Sequence, residues 1–511
     1  MDKTTLTSFD WIIIIGYGVG MLLVGFYFSY KNKSSDDYMF GGRKMKFWKV
    51  GLSLFATLFS AVTYLSMPGE MIKHGPMIWS MIVALPFIYI VVAYFFIPYI
   101  MKLKITSAYE LLETKLDIRN RLLAATYFII MRFVWMAVII YMVSEKVIVP
   151  IMGWPEDTAL AVSIIMGIIT VIYTSFGGLR SVVFTDVVQT FILLGGTILA
   201  IILIIKQVGG VSAVLPSEWP EQWAGWVFFD TKVRVSFLTA FIATFSWYVC
   251  TAGSDQMAIQ RYLATQDTKA ARRMYLSSII SNLVVFFLLA FLGLALYAYF
   301  KIHPESLIAG MSIIDGADLL FPRFILIGLP AGFSGLVLAG LLAASMSSLS
   351  SGINSSTLSI INDFILRFRK NPISETDQVK LAKIISFGIG VIIVLLSLFI
   401  GNVKGNLLEL TYKTVNLLVA PLFVPFFMAM FVRWAKPTAT FIGTLTSGIT
   451  AALISYSQEM FSVNISFLWI IPVSFIVGVV ISVVLSLLPF EQCSQRTGNN
   501  LNNVNISDIT V

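Results

Sequence analysis

The stretch Gly335-Leu-Val-Leu-Ala-Gly-Leu-Leu-Ala-Ala-Ser-Met-Ser-Ser-Leu-Ser-Ser351 is an apolar run that turns rich in hydroxyls and carries no charge. At mid-membrane depth lipid offers such hydroxyls no partners, so they should face protein or a bound ligand. Hard cations such as sodium prefer oxygen ligands to nitrogen or sulfur. A row of serine oxygens, joined by backbone carbonyls freed from a broken helix, is therefore a candidate cation site. Two stretches look interrupted. Phe55-Ala-Thr-Leu-Phe-Ser-Ala-Val-Thr-Tyr-Leu-Ser-Met-Pro68 has Ser and Thr in the middle of an apolar span. Ser246-Trp-Tyr-Val-Cys-Thr-Ala-Gly-Ser-Asp255 holds a small polar run suited to an unwound segment. Broken helices at corresponding places in two halves of a chain point to a midplane binding site in an inverted-repeat transporter. The alternative for either stretch alone is that small residues let helices pack closely.

Arg132 is the anomalous charge. It lies about ten residues into an apolar span, roughly 15 Å from the cytoplasmic end at helical rise. Charge within the membrane is costly and by default marks a functional site. The alternative is a structural pair with an inward-facing carboxylate such as Asp186. Asp186 follows Thr185 where a span is expected to begin, so its own alternative role is helix capping.

These residues must be positioned by membrane-spanning helices. The chain of 511 residues is 58% hydrophobic and 12% charged, with a mean hydropathy of +0.87. That composition excludes a soluble protein. About thirteen apolar segments are long enough to span a bilayer: roughly 11–29, 50–68, 77–101, 122–150, 159–174, 183–206, 233–254, 274–299, 324–354, 381–401, 408–431, 438–456 and 467–488. The expectation is one transmembrane domain over 1–488 and a polar tail over 489–511. The first segment lacks the flanks of a cleavable signal.

The net charge of +8 does not point to nucleic acid. With the N-terminus outside, the inside loops hold about 23 Lys and Arg and the outside loops about eight, the positive-inside bias. The C-terminus is then cytoplasmic. Trp219, Trp223 and Trp226 in the outside loop 207–232 suit the interfacial aromatic belt. Two cysteines, Cys250 in a span and Cys493 in the tail, make a disulfide unexpected. Two histidines and no cysteine cluster argue against a transition-metal site. Neither a catalytic constellation nor a nucleotide-binding motif appears, so an enzyme is not expected. No obligatory protein partner is inferred; the partners expected are a small-molecule substrate and the lipid bilayer.

Three motifs carry a resemblance: Gly177-Gly-Leu-Arg-Ser-Val-Val-Phe-Thr-Asp-Val-Val-Gln189, Asp255-Gln-Met-Ala-Ile-Gln-Arg-Tyr-Leu263, and the serine-rich Gly335–Ser356. Lys104-Ile-Thr-Ser-Ala-Tyr-Glu-Leu-Leu-Glu113 adds to them. Together they resemble the sodium:solute symporter family, which includes sodium–glucose, sodium–iodide, monocarboxylate, proline and sialic acid transporters. The resemblance implies an all-α polytopic membrane protein. Its LeuT-like core would hold two five-helix repeats in inverted topology over about 50–431. It implies sodium-driven import across the plasma membrane by alternating access.

Carried over by motif, the principal sodium site comprises the carbonyls of Ala56, Phe59 and Ala344 with the hydroxyls of Ser347 and Ser348. A second sodium would use Asp186, Ser350 and Ser351, so one or two ions are expected. The solute pocket would be lined by Leu58, Ser60, Thr63, Ile82, Arg132, Trp135, Trp247 and Thr251. Sialic acid members resemble this chain at Ser60 and Thr63 but use Arg at the position of Trp135 and Gln at that of Ile82. The polar residues typical of sugar members near Leu58 and Thr251 are missing. A pocket shaped by Leu58, Ile82 and Trp135, with Arg132 one turn away, suits a small organic anion such as a monocarboxylate or sialic-acid-like solute. A neutral solute such as a sugar is the alternative, and a sodium-dependent channel or membrane sensor is the alternative from another class.

Overall fold

The computed structural model describes residues 6–489 except 33, 60, 104, 217, 224, 231, 232, 234, 309, 372, 401–415 and 464. The elements that build the site are α1 (Ser8–Lys31), α2 (Phe47–Leu58), α3 (Ala61–His74), α4 (Ile118–Tyr141), α5 (Thr158–Val208), α6 (Phe237–Ser254), α7 (Gln256–Leu263) and α8 (Phe333–Ser359). Among the described residues ten helices are long and apolar enough to cross a membrane, or eleven if α2 and α3 count as one bent span.

The difference from the thirteen expected has two sources. Segments 159–174 and 183–206 run on as the single element α5. Its 51 residues extend about 75 Å at helical rise, more than twice the thickness of a hydrocarbon core. It is interrupted at Gly178, where φ +59 and ψ −161 leave the helical region. A side chain there would meet the Tyr38 carbonyl oxygen at 2.6 Å, and the Tyr38 hydroxyl donates to the Ser175 carbonyl at 2.9 Å. The other source is 408–431, of which Asn416–Phe431 forms an apolar helix and 408–415 lies outside the described residues. So do Cys493 and the tail from 490.

Both expected breaks occur. Between α2 and α3 the axis bends by 60°, with Phe59 extended at φ −92 and ψ 93. Between α6 and α7 only Asp255 is non-helical, at φ −78 and ψ 123. The small polar run ahead of it is helical, contrary to the unwound segment expected. The Ser254 hydroxyl bonds back to the Cys250 carbonyl at 2.8 Å, which satisfies it without unwinding. Asp255 then opens α7 by accepting the Met257 amide at 2.8 Å, an N-cap bond.

Helix α8 is the centre of the bundle. Of the most apolar window in Phe333–Phe368, 89% is buried, against 11% for α1 at the periphery. Its small residues admit neighbours closely. At Gly335 a β-carbon would lie 2.5 Å from the Asp10 carbonyl oxygen. The Asp10 carboxylate is fully buried and accepts the amides of Gly332 and Gly335, each at 2.8 Å. Asp10 thus supplies an anion to the first turn of α8, where amides lack intrahelical acceptors.

The tryptophans of loop 207–232 divide. Trp219 and Trp226 are exposed, as an interfacial belt requires. Trp223 is buried instead, and its indole N–H donates to the Ile72 carbonyl near the end of α3 at 3.0 Å.

Candidate sodium and solute site

The candidate principal cation site begins with the end of α2. The last carbonyls of a helix have no intrahelical donor and carry the negative end of its dipole. Between Ala56 and Phe59 stands Thr57, followed by Leu58; the Thr57 hydroxyl lies 2.9 Å from that of Ser351 and so joins this turn to the serine row of α8. Ser347 donates its hydroxyl to Asp186 Oδ1 at 2.6 Å. That commitment of its hydrogen leaves the Ser347 oxygen's lone pairs available to a cation. Ser348, next in sequence, is fully buried, and its hydroxyl has no hydrogen-bond partner. A buried hydroxyl left unmade costs free energy unless a ligand completes it. Ala344 is buried on the same helix, one turn before Ser347 and Ser348. The set of uncharged oxygen donors fits a hard monovalent cation.

Asp186 and its neighbours form a second cluster. Asp186 is fully buried within α5, eight residues past the Gly178 bend, and is not at a helix N-terminus, so the capping role does not apply. Its Oδ2 accepts the Ser53 hydroxyl at 2.5 Å and lies 3.7 Å from the Arg261 guanidinium. Arg261 also donates to Ser351 Oγ at 2.6 Å and to the Met257 carbonyl at 3.0 Å. Ser350 turns back to the Ser347 carbonyl at 3.0 Å. Asp186 and Ser351 are therefore brought together, but with a guanidinium between them. Ser53 and Arg261 are further contributors, beyond those expected from the sequence. The signal for Ser53 was its spacing of four from Thr57 on one face of α2. Arg261 stood within the motif that begins at Asp255.

Beside this site lies a cavity of about 180 Å³. Leu58, Thr63, Ile82, Arg132, Trp135, Trp247 and Thr251 all line it; Ser60 lies outside the described residues. Thr57, Ser66, Glu70, Tyr248, Asn282 and Asn416 line it too and were not expected. The one signal for Asn282 was an amide within an otherwise apolar span. Its side-chain amide donates to the Tyr248 hydroxyl, and the Trp247 indole N–H donates to Asn416 Oδ1 at 3.0 Å.

Arg132 is buried and donates through Nη2 to Asp255. The partner is therefore Asp255, at the α6–α7 break, and not Asp186, which has Arg261. One edge of the guanidinium is taken, but Arg132 Nε has no partner, and neither does the indole N–H of Trp135 one turn on. The cavity wall thus carries two buried, unmet N–H donors on one face of α4. They can receive an acceptor-rich group such as a carboxylate.

Comparison with known proteins bears on this arrangement. A sodium/sialic acid symporter of Proteus mirabilis is 29% identical over 468 residues, covering 88% of this chain and 90% of that one. Human sodium-coupled monocarboxylate transporter 1 is 26% identical, covering 88% of this chain and 73% of that one. The rabbit (Oryctolagus cuniculus) sodium-dependent multivitamin transporter is 28% identical, covering 90% and 72%. Among solved structures, a substrate-bound, outward-open sodium-coupled sialic acid symporter, described as revealing a novel sodium site, matches with a TM-score of 0.83 and 27% identity. It covers 94% of this chain and 98% of its own. A nucleobase-cation-symport-1 family transporter matches at 0.58 with 14% identity, a likeness of fold alone. The model of the sodium:solute symporter family matches residues 38–450. With its LeuT-like helical bundle, broken spans and serine row, this chain belongs to the sodium:solute symporter family.

Proposed function

We propose that the protein imports a small organic anion together with sodium by alternating access. The observation that carries this reading is the turn Ala56–Phe59. It offers the end of α2 to the serine row of α8, and Thr57, Leu58 and Phe59 line the solute cavity on the same turn. Sodium held by the carbonyls of Ala56, Phe59 and Ala344 and the hydroxyls of Ser347 and Ser348 would fix the α2–α3 break, and with it one wall of the cavity.

The solute reading follows from charge. Arg132 and Asp255 neutralise each other, so the pair brings hydrogen-bond donors to the cavity and no net charge. Sodium beside the cavity supplies the counter-charge for a carboxylate. The donors for that carboxylate are Arg132 Nε and the Trp135 indole N–H. The cavity falls below the ~300–1,000 Å³ of drug-sized sites, and Leu58 and Ile82 give it apolar walls. A monocarboxylate suits it better than a polyhydroxylated acid. The relatives named for sialic acid and monocarboxylates support an anion. A neutral hydrogen-bonding solute is the second reading, favoured by the zero net charge of the Arg132–Asp255 pair.

The protein works in the cell membrane with its N-terminus outside and C-terminus inside, as the bias of Lys and Arg toward the inside loops supports. Its spans form one transporter domain over 1–488. The negative interior favours each net positive charge moved inward by about 2.3 kcal/mol per 100 mV, so one sodium entering with one carboxylate is driven by the sodium concentration gradient alone. The test is uptake into proteoliposomes. Labelled monocarboxylates, sialic acids, amino acids and sugars are offered with an inward sodium gradient and with potassium in its place. Saturable uptake of a carboxylate that requires sodium is expected. Sodium-independent or non-saturating flux would mean a channel, and uptake of sugars alone would select the neutral solute.

A further inference from the structure

We propose that the corner where α1, α2 and α5 meet binds the headgroup of an anionic phospholipid. The inference goes beyond the symport reading and does not depend on any sodium site.

A cavity of about 250 Å³ lies in this corner. Lys44, Lys49 and Arg180 line it, together with Phe28, Met45 and Phe184. Phe28 belongs to the last turn of α1, where that apolar span ends at Lys31. The cavity therefore sits at the edge of the hydrocarbon. The Phe28 and Phe184 rings lie 5.8 Å apart. Phe184 is exposed, as are Phe47 and Trp48 at the start of α2. One chamber thus joins cations to an aromatic surface open to lipid.

Charge decides the ligand. The two carboxylates of the adjoining segment are both engaged: Asp36 accepts from Arg43 at 2.9 Å and Asp37 from Arg180 at 2.6 Å. Lys44 and Lys49 have no carboxylate or hydrogen-bond partner among the described residues. Two net positive charges are left at the cavity. The backbone fixes where they stand. Gly41 and Gly42 turn the chain through the left-handed region, at φ +64 and +72, where glycine pays no steric cost. A β-carbon on Gly42 would meet the Arg180 guanidinium at 2.8 Å. Arg180 closes the turn by donating to the Gly41 carbonyl at 3.2 Å, and the Met45 amide donates to the Ala264 carbonyl at 3.2 Å. Lysines that merely snorkel reach separately into water; these two converge with Arg180 on one chamber. A phosphodiester supplies the anionic oxygens that such donors receive, and its acyl chains continue along Phe28 and Phe184. Basic pockets between spanning helices on the cytoplasmic side take anionic headgroups in this way, and the orientation proposed above puts this end of α1 inside. Lys49 stands in the first turn of α2, so the bound lipid grips the near end of the helix whose far end carries Ala56.

The test uses the full-length protein in detergent. Phosphatidylglycerol, phosphatidylcholine or inorganic phosphate is added at rising concentration, and thermal unfolding is read. Phosphatidylglycerol should raise the melting temperature saturably, and the other two should not. The double variant Lys44→Gln with Lys49→Gln should need about thirtyfold more phosphatidylglycerol for the same shift, about fivefold for each lysine. A control pair of exposed lysines, Lys102→Gln with Lys115→Gln, should behave as wild type. Native mass spectrometry should find one phosphatidylglycerol retained by wild type and lost from the Lys44, Lys49 variant. Equal protection by phosphatidylcholine, or an equal loss in the control pair, would overturn the site in favour of a diffuse lipid or charge effect. Protection by inorganic phosphate would overturn the phospholipid in favour of a soluble anion. Sodium-dependent uptake is measured separately, so failure here leaves the symport reading untouched.

Discussion

Arg132, on the wall of the solute cavity, donates to Asp255, the single residue at which α6 gives way to α7. The cavity and the second broken span are thereby fastened to each other, and the remaining donors of that wall can be tested separately from the pair.

Trp135→Phe removes the unmet indole N–H and keeps the ring. Solute affinity should fall about five- to tenfold, the worth of one hydrogen bond, with melting temperature unchanged. Arg132→Gln should behave differently. It strands the Asp255 carboxylate, and breaking a buried pair costs about 3–5 kcal/mol, so thermal stability should drop along with binding. Both quantities are read on the same detergent-purified protein. An unaltered affinity in Trp135→Phe would remove the indole from solute recognition.

Ser348→Ala should separate ligation from packing. In sodium-free buffer the variant should be as stable as wild type or more so, because an unmet buried hydroxyl is lost. In sodium it should gain less. The sodium half-saturation of transport should rise by about tenfold or more, since a ligand to a charge is worth roughly 1.5–3 kcal/mol. An unchanged sodium curve in well-folded protein would defeat the principal site.

Asp10→Asn tests the hold of α1 on the serine-rich helix α8. The carboxylate accepts two amides of the first turns of α8 and one from Thr7 at 2.9 Å. Its replacement should lower stability by about 1–3 kcal/mol, within the range for a lost cap and weakened charged hydrogen bonds. Thermal unfolding monitored by tryptophan fluorescence measures it, and a shift of zero would make α1 an idle neighbour.

In the segment ahead of α4, Glu113, outside the spans, accepts Arg367 at 2.9 and 3.0 Å and Arg121 at 2.7 Å. The hydrogen bond from Arg367, above all, holds its carboxyl below its ordinary value. A depressed carboxyl contributes stability above its unfolded value, near 4.5, and loses it as pH falls through the folded value. Glu113→Gln should therefore be less stable than wild type at pH 7, and the gap in melting temperature should narrow by pH 4. A gap independent of pH would mean that the charge of Glu113 does no work.

Much of this architecture was legible because the bilayer forces it. Long apolar runs and two polar interruptions locate the spans and the breaks. What was not legible depends on which helices meet. The sequence offers Asp186 among the possible partners of Arg132, and the structure pairs it with Asp255, a choice made by packing between α4 and the α6–α7 junction. The run before Asp255 reads as loose from its small polar residues, yet its serine satisfies itself within the helix. Trp223 shares the composition of the belt around it and is buried by its bond to Ile72. Thr7 and Asp10 form a capping box at the start of α1, and nothing in the order of residues tells that the same carboxylate reaches Gly332 and Gly335.

Thr57 touches the Ser351 hydroxyl on one side and the solute cavity on the other. A turn shared in this way cannot favour one passenger without favouring its companion. Reciprocity of binding free energies then sets a strict equality: the factor by which sodium tightens the solute is the factor by which the solute tightens sodium. Loosening that turn should degrade both factors together and let the carrier slip, spending its ion gradient without moving cargo.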